Sequence, residues 1–236
     1  MTLEHLEQLL GCAPRLVMFD LDGTLVDSLP DIARAVDAAL ATVGRPAAGL
    51  AAIRTWVGNG SPGLLVRALH NRAIPTAELE SARARLEPGL FERAYQAFLD
   101  AYGAAPADAS RPYPGVKECL QGLQTAGVAL ACVTNKPGQF VAPVLEGVGL
   151  AQFFALTIAG DSLPRKKPAP DPLLHCLAHF DVPAGAAVMV GDSDNDVLAA
   201  RAAGVKVVAV SYGYNYGCAV ADAGPDWLLD SLGPVG

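Results

Sequence analysis

The sequence predicts an α/β fold: a Rossmann-like, doubly wound parallel sheet with an inserted all-helical cap domain. Three observations lead there. Short apolar runs alternate with amphipathic stretches over most of the 236 residues, which is the pattern of βαβ units. Each run is apolar at consecutive positions, as a strand covered by helices on both faces must be. One long stretch, from Leu29 to Arg111, breaks the alternation and carries helix signals only.

The first apolar run, Arg15 to Phe19, is the predicted first strand. Ser28, with Pro30 and Asp31, then marks an N-cap and first turn for a helix through Val43. Ser61 with Pro62 does the same for a helix through His70. A longer helical stretch, Thr76 to Tyr102, is interrupted near Pro88 and Gly89. The Ala- and Pro-rich segment from Gly103 to Gly115 reads as the linker back to the sheet. Beyond it the alternation resumes, with helices over Gly115–Ala126, Pro137–Val148, Pro172–Phe180 and Asp194–Ala203. Between and after them lie strands over Val128–Val133, Ala186–Gly191, Val205–Val210 and a short Trp227–Leu229. The expected division is a core domain from residues 1–28 and 112–236, and a helical cap from residues 29–111.

Composition narrows the function. With 17 Lys and Arg against 24 Asp and Glu, the net charge is −7, the wrong sign for a surface that neutralises nucleic-acid phosphates. At 52% hydrophobic and 17% charged, the chain is too apolar to stay disordered. No apolar run approaches the ~20 residues that span a bilayer, and the acidic N-terminus lacks the basic region of a secretory signal. A cytoplasmic protein, monomeric or homodimeric, is expected, with neither nucleic acid nor membrane as partner. The five cysteines are scattered and form no CxxC pair, so buried thiols in a reducing compartment are expected. His175 and His179 share a helix face, but no Glu follows His175 as a zinc-binding HExxH would require.

In open α/β sheets, ligands bind beyond the carboxyl ends of the strands. Four loops there carry chemistry: Asp20 to Ser28, Thr134 to Lys136, Arg165 to Pro170 and Gly191 to Asp196. Asp20 and Asp22 stand two apart directly after a strand, with Gly23 permitting a tight turn behind them. Repelling carboxylates so placed suit a hard divalent cation, which favours a few carboxylates plus water and phosphate oxygens. Asp192, at a neighbouring strand tip, faces the same cation, while Asp194 is expected to cap the helix that follows. Thr134 and the amides after it suit a phosphate. Lys167, in a stretch stiffened by Pro168 and Pro170, offsets its charge.

Taken together and in this order, the DxDGT signature, the Thr after the second strand, the Lys-Pro-x-Pro lysine and the GDSxxD loop resemble the four motifs of the haloacid dehalogenase superfamily, over essentially the whole chain. The resemblance implies Asp20 as nucleophile and Asp22 as general acid and base, passing through an aspartyl phosphate. It further implies Mg²⁺ held by Asp20, the backbone carbonyl of Asp22 and Asp192, with Asp196 behind them. Thr134, Asn135 and Lys167 would grip the phosphoryl group. Within the superfamily, the opening FDLDGTLVDSLPDIA and the segment Arg54 to Leu69 resemble bacterial phosphoglycolate phosphatases. That implies a small phosphorylated metabolite, 2-phosphoglycolate, cleaved to glycolate and phosphate. Arg54, Asn59, Gly60 and Arg67 would then be the cap residues that read its carboxylate. Arg165 and Lys166 also precede the proline, but the motif's lysine directly adjoins it. The alternatives are the same chemistry on another small sugar or organic acid phosphate, a phosphotransferase of the β-phosphoglucomutase type, and a non-enzymatic phospho-accepting receiver module.

Overall fold

The computed structural model describes residues 1–233. Helix α1 (Leu3–Leu10) precedes β1 (Leu16–Phe19), and a two-residue strand β2 (Val26–Asp27) leads into α2 (Leu29–Thr42). Then come α3 (Leu50–Arg54), α4 (Ser61–His70), α5 (Leu79–Ala84) and α6 (Leu90–Ala104). Strand β3 (Arg111–Pro112) pairs antiparallel with β2 in a small sheet of their own, so the chain enters and leaves the helical segment through neighbouring strands. The remainder alternates: α7 (Val116–Thr125), β4 (Ala129–Val133), α8 (Gly138–Gly147), β5 (Leu156–Ile158), α9 (Asp171–Phe180), β6 (Ala187–Gly191), α10 (Asp194–Ala203), β7 (Lys206–Val210) and β8 (Trp227–Leu229).

Six of these strands form one sheet in the order β5-β4-β1-β6-β7-β8, every pair parallel. Successive side chains of a strand face opposite sides, and here both sides are buried. Val17, Phe19, Leu130, Cys132, Val188 and Val190 pack on one face with Leu6 of α1, Leu120 of α7 and Val144 of α8. Leu16, Met18, Ala131 and Met189 pack on the other with Leu173 of α9 and Val197 of α10. The helical block has an apolar centre of its own, including Val36, Ile53, Leu65 and Phe98.

Several expectations need correcting. Strand β5, an edge strand with an exposed Thr157, is too short and mixed to register as an apolar run. The β2–β3 pair is two residues long on each side, below any periodic signal. Ser28 occupies the N-cap position of α2 but its hydroxyl does not cap the helix; it donates to Asp22 Oδ1 at 2.5 Å. Ser61 is the first residue of α4, and Gly60 is its cap. Asp194 does not cap α10 either: Ser193 does, in a reciprocal capping box with Asp196. Three cysteines are buried, but Cys12 and Cys218 are exposed, and all five are free thiols. Among the described residues no helix is long and apolar enough to cross a membrane.

Candidate active site

The register sets Phe19 beside Cys132 on one side and Val190 on the other. The strands β4, β1 and β6 therefore end level, and Asp20, Thr134 and Asp192 leave the sheet together into one cavity. Its opposite wall comes from the helical block, through Ile32, Leu64, Phe98 and Tyr102.

Asp20 Oδ1 accepts from the Leu21 amide at 2.7 Å and pairs with Lys167 Nζ at 3.0 Å, while its second oxygen carries no hydrogen bond among the described residues. Burial pushes the Asp20 carboxyl up to about 7, against the pull of Lys167. Asp192 is held more tightly. Thr24 Oγ1 donates to its Oδ1 at 2.9 Å and the Tyr214 amide to its Oδ2 at 2.7 Å. Glycine on both sides makes room for it, since a Cβ on Gly23 or on Gly213 would stand 2.2 Å from that Oδ2. Burial first, then the charges of Asp20 and Asp196, raise the Asp192 carboxyl well above the usual carboxylate range.

Lys167, 1% exposed, donates to Asp196 Oδ1 and to the Val133 carbonyl, each at 2.6 Å. Burial alone would lower its ammonium, but Asp196 and Asp20 hold it above the ordinary lysine range. Of the three adjacent basic residues only Lys167 reaches Asp20; Arg165 pairs with Asp171 and Lys166 donates to the Asn59 carbonyl. Asp196 has both oxygens engaged, the second by the amide and hydroxyl of Ser193.

Oxygens of Asp20, Asp192 and Asp196 lie within 4.8 Å of one another. This donor set fits a hard divalent cation: two desolvated, mutually repelling carboxylates, each with spare lone pairs, are what such an ion relieves. Asp196 is spent on Lys167 and Ser193, so Asp20 and Asp192 are the ligands with capacity. The Asp22 carboxylate lies outside this cluster. It accepts from Ser28 and from Lys136 Nζ, at 2.9 Å on Oδ1 and 3.1 Å on Oδ2.

Other predicted residues have different partners. Thr134 Oγ1 accepts from the Lys136 amide at 3.2 Å. The Asn135 side chain ties three segments together, donating to the carbonyls of Lys167 at 3.0 Å and Gly58 at 3.2 Å. In the helical block Gly58 and Gly60 take positive φ (137° and 83°) around Asn59, and Gly60 lines the cavity. Asn59 and the two arginines do not. Arg67 donates to the carbonyls of Ile74 and Trp56 and to Asn59 Oδ1 at 2.9 to 3.1 Å, and is 3% exposed. Arg54 donates to the carbonyls of Tyr212 and Gly213, both at 3.0 Å, and lies over the Tyr214 ring. Both arginines thus make these bonds within the protein and away from the cavity.

Two features escape sequence reading. Lys136 meets Asp22 across 114 positions, a pairing that no local spacing announces. The loop after β7, with tyrosines at 212, 214 and 216, joins Asp192 to the helical block. The Tyr214 amide holds Asp192 and its hydroxyl donates to Asp27, while the Tyr216 hydroxyl accepts from Asn195 and its ring faces Arg67. Its signal is a Gly-flanked aromatic run at a strand end, where sites form.

The sequence model of the haloacid dehalogenase-like hydrolases matches residues 14–204. A phosphoglycolate phosphatase of Pseudomonas syringae pv. tomato is 48% identical over 222 residues, 94% of this chain and 78% of its own. That of Nitrosococcus oceani is 42% identical over 219 residues, 93% of each chain. Among solved structures, one from Haemophilus somnus described as a predicted phosphoglycolate phosphatase superposes with a TM-score of 0.84 at 39% identity, covering 93% of this chain and 95% of that one.

Proposed function

Because the chain belongs to the haloacid dehalogenase-like hydrolases, we propose that it is a Mg²⁺-dependent phosphatase that cleaves 2-phosphoglycolate to glycolate and inorganic phosphate. The observation that carries this reading is Asp20 itself: a carboxylate at the tip of the central strand, one oxygen braced by Leu21 and Lys167 and the other without a partner among the described residues. The relatives named for this activity, aligned over more than nine-tenths of the chain, support the substrate. On this reading residues 29–111 act as the cap over a core of residues 1–28 and 112–236, in the cytoplasm.

The free oxygen of Asp20 attacks phosphorus as the P–O ester bond breaks. Asp22, fixed by Ser28 and Lys136, gives a proton to the departing glycolate oxygen. It then takes a proton from water, which attacks the aspartyl phosphate, releases inorganic phosphate and restores Asp20. Asp20 and Asp192 would hold the cation, which when bound would supply positive charge to the phosphoryl oxygens. Lys167 supplies positive charge from the other side, and Asp196 keeps it in place. The apolar wall of Ile32, Leu64 and Phe98 excludes water and bulky alcohols.

The test is phosphate release from 2-phosphoglycolate beside glucose 6-phosphate, β-glucose 1-phosphate and 3-phosphoglycerate, with Mg²⁺ and with EDTA. A strong preference for 2-phosphoglycolate that EDTA abolishes is the expected result. Activity centred on a sugar phosphate would sink the substrate and keep the catalytic aspartates.

A further inference from the structure

Neither Arg54 nor Arg67 lines the cavity, so the end of the substrate remote from the phosphate needs another reader. We propose that Lys136, seconded by the Tyr102 hydroxyl, binds the carboxylate of the substrate and so sets specificity for a short phosphorylated carboxylic acid; this rests on the phosphatase reading above. Lys136 is the only cationic side chain lining the cavity among the described residues, and it is 6% exposed. Its Nζ lies 2.9 Å from Asp22, the group that protonates the leaving oxygen. A general acid works at about 2.6–3.2 Å from its target. A carboxylate one carbon beyond that oxygen, as in 2-phosphoglycolate, therefore lies within reach of the ammonium.

Tyr102 supplies the second, independent observation. It is 1% exposed and lines the same cavity, yet its hydroxyl has no hydrogen-bond partner among the described residues. Its ring is fixed edge-on against Phe140 and stacked on Phe98, and Lys136 Nζ sits 4.6 Å from the ring centre. A buried donor without an acceptor beside a buried ammonium is a site for an anionic acceptor. Lys136 belongs to the strand-end loop and Tyr102 to α6 of the helical block. One carboxylate bound by both would clamp the block onto the sheet, whereas an ester ending in a hydroxyl gives Lys136 no counter-charge beyond that of Asp22.

The experiment compares kcat/KM for 2-phosphoglycolate and for 2-hydroxyethyl phosphate, an ester of the same length with a neutral end. It uses the full-length protein and its Lys136→Met and Tyr102→Phe variants. A charge-assisted bond predicts that Lys136→Met shrinks the preference for the carboxylate by about 10- to 100-fold, beyond any loss common to both esters through Asp22. Tyr102→Phe, which keeps the ring packing, shrinks it by about 5-fold. Should Lys136→Met not fold, the Tyr102→Phe ratio decides. An undiminished preference in the folded variants overturns the role of Lys136 and leaves the phosphatase reading standing. Equal turnover of both esters by the unaltered protein overturns the substrate reading, and this role with it.

Discussion

The strand-end loops and the helical block both bury charged side chains, and they do so to different ends. In the loops, Asp20 and Asp192 are anchored by two donors each and keep lone pairs for the cavity. In the block, Arg67 gives its guanidinium to two carbonyls and a side-chain amide oxygen, all within the block. Asp31 does likewise, accepting from the amides of Ala109 and Ser110 and from the Ser110 hydroxyl. A buried charge whose bonds are all made holds the fold; one left partly unmet, at the cost of raised protonation, is available to chemistry.

Replacing Asp20 by Asn should separate the two regions most sharply. Turnover should fall by about 10⁴-fold or more, while the denaturation midpoint does not drop, because repulsion with Asp192 and Asp196 is relieved. Arg67→Met should do the reverse. Leaving the Ile74 and Trp56 carbonyls buried without a donor should cost roughly 3 kcal/mol in urea unfolding, with KM for 2-phosphoglycolate unchanged. A raised KM in a fully stable Arg67→Met protein would break the comparison.

Gly213→Ala tests the loop side more gently. Its Cβ would crowd Asp192 at 2.2 Å, so the Mg²⁺ concentration for half-maximal activity should rise about 10-fold or more. The smallest expected effect is in pH. The Asp20 carboxyl stands at about 7 in the folded chain against 3.8 as its ordinary value. Between these values the folded state holds the proton more firmly, so the stability this group contributes is full below about pH 4 and lost as pH rises through about 7. In EDTA, thermal melts should shift down from pH 5 to pH 8. Mg²⁺ should restore the loss at pH 8 far more than at pH 5, because an ionised carboxylate is the better ligand.

Which parts of this were legible in advance follows from the range of each interaction. Runs such as Val128–Val133 and Ala186–Gly191 announce themselves because both faces of the central strands are buried. Leu156–Ile158 does not, being three residues with an exposed Thr157 at the sheet edge. Asp20, Asp192 and Lys167 were recognisable because strand ends bring them together and their motifs mark those ends. For Arg54 and Arg67, nothing in a sequence says that a guanidinium bonds to backbone carbonyls, near in the chain for Arg67 and far for Arg54. Lys136 is hidden in the same way, because its partners, Asp22 and Tyr102, lie far away along the chain.

The position of β1 has a consequence for how the chain is made. Of the six strands of the sheet it comes first in the chain, yet its two neighbours, β4 and β6, come from Ala129–Val133 and Ala187–Gly191. The helical block, built from contacts closer in sequence, can gather while β1 is still without either partner. During translation the tip that carries Asp20 is thus attached to an apolar strand with both edges open, a state prone to mispairing. The active centre cannot be complete before β6 lies beside β1 and the loop after β7 bonds Asp192.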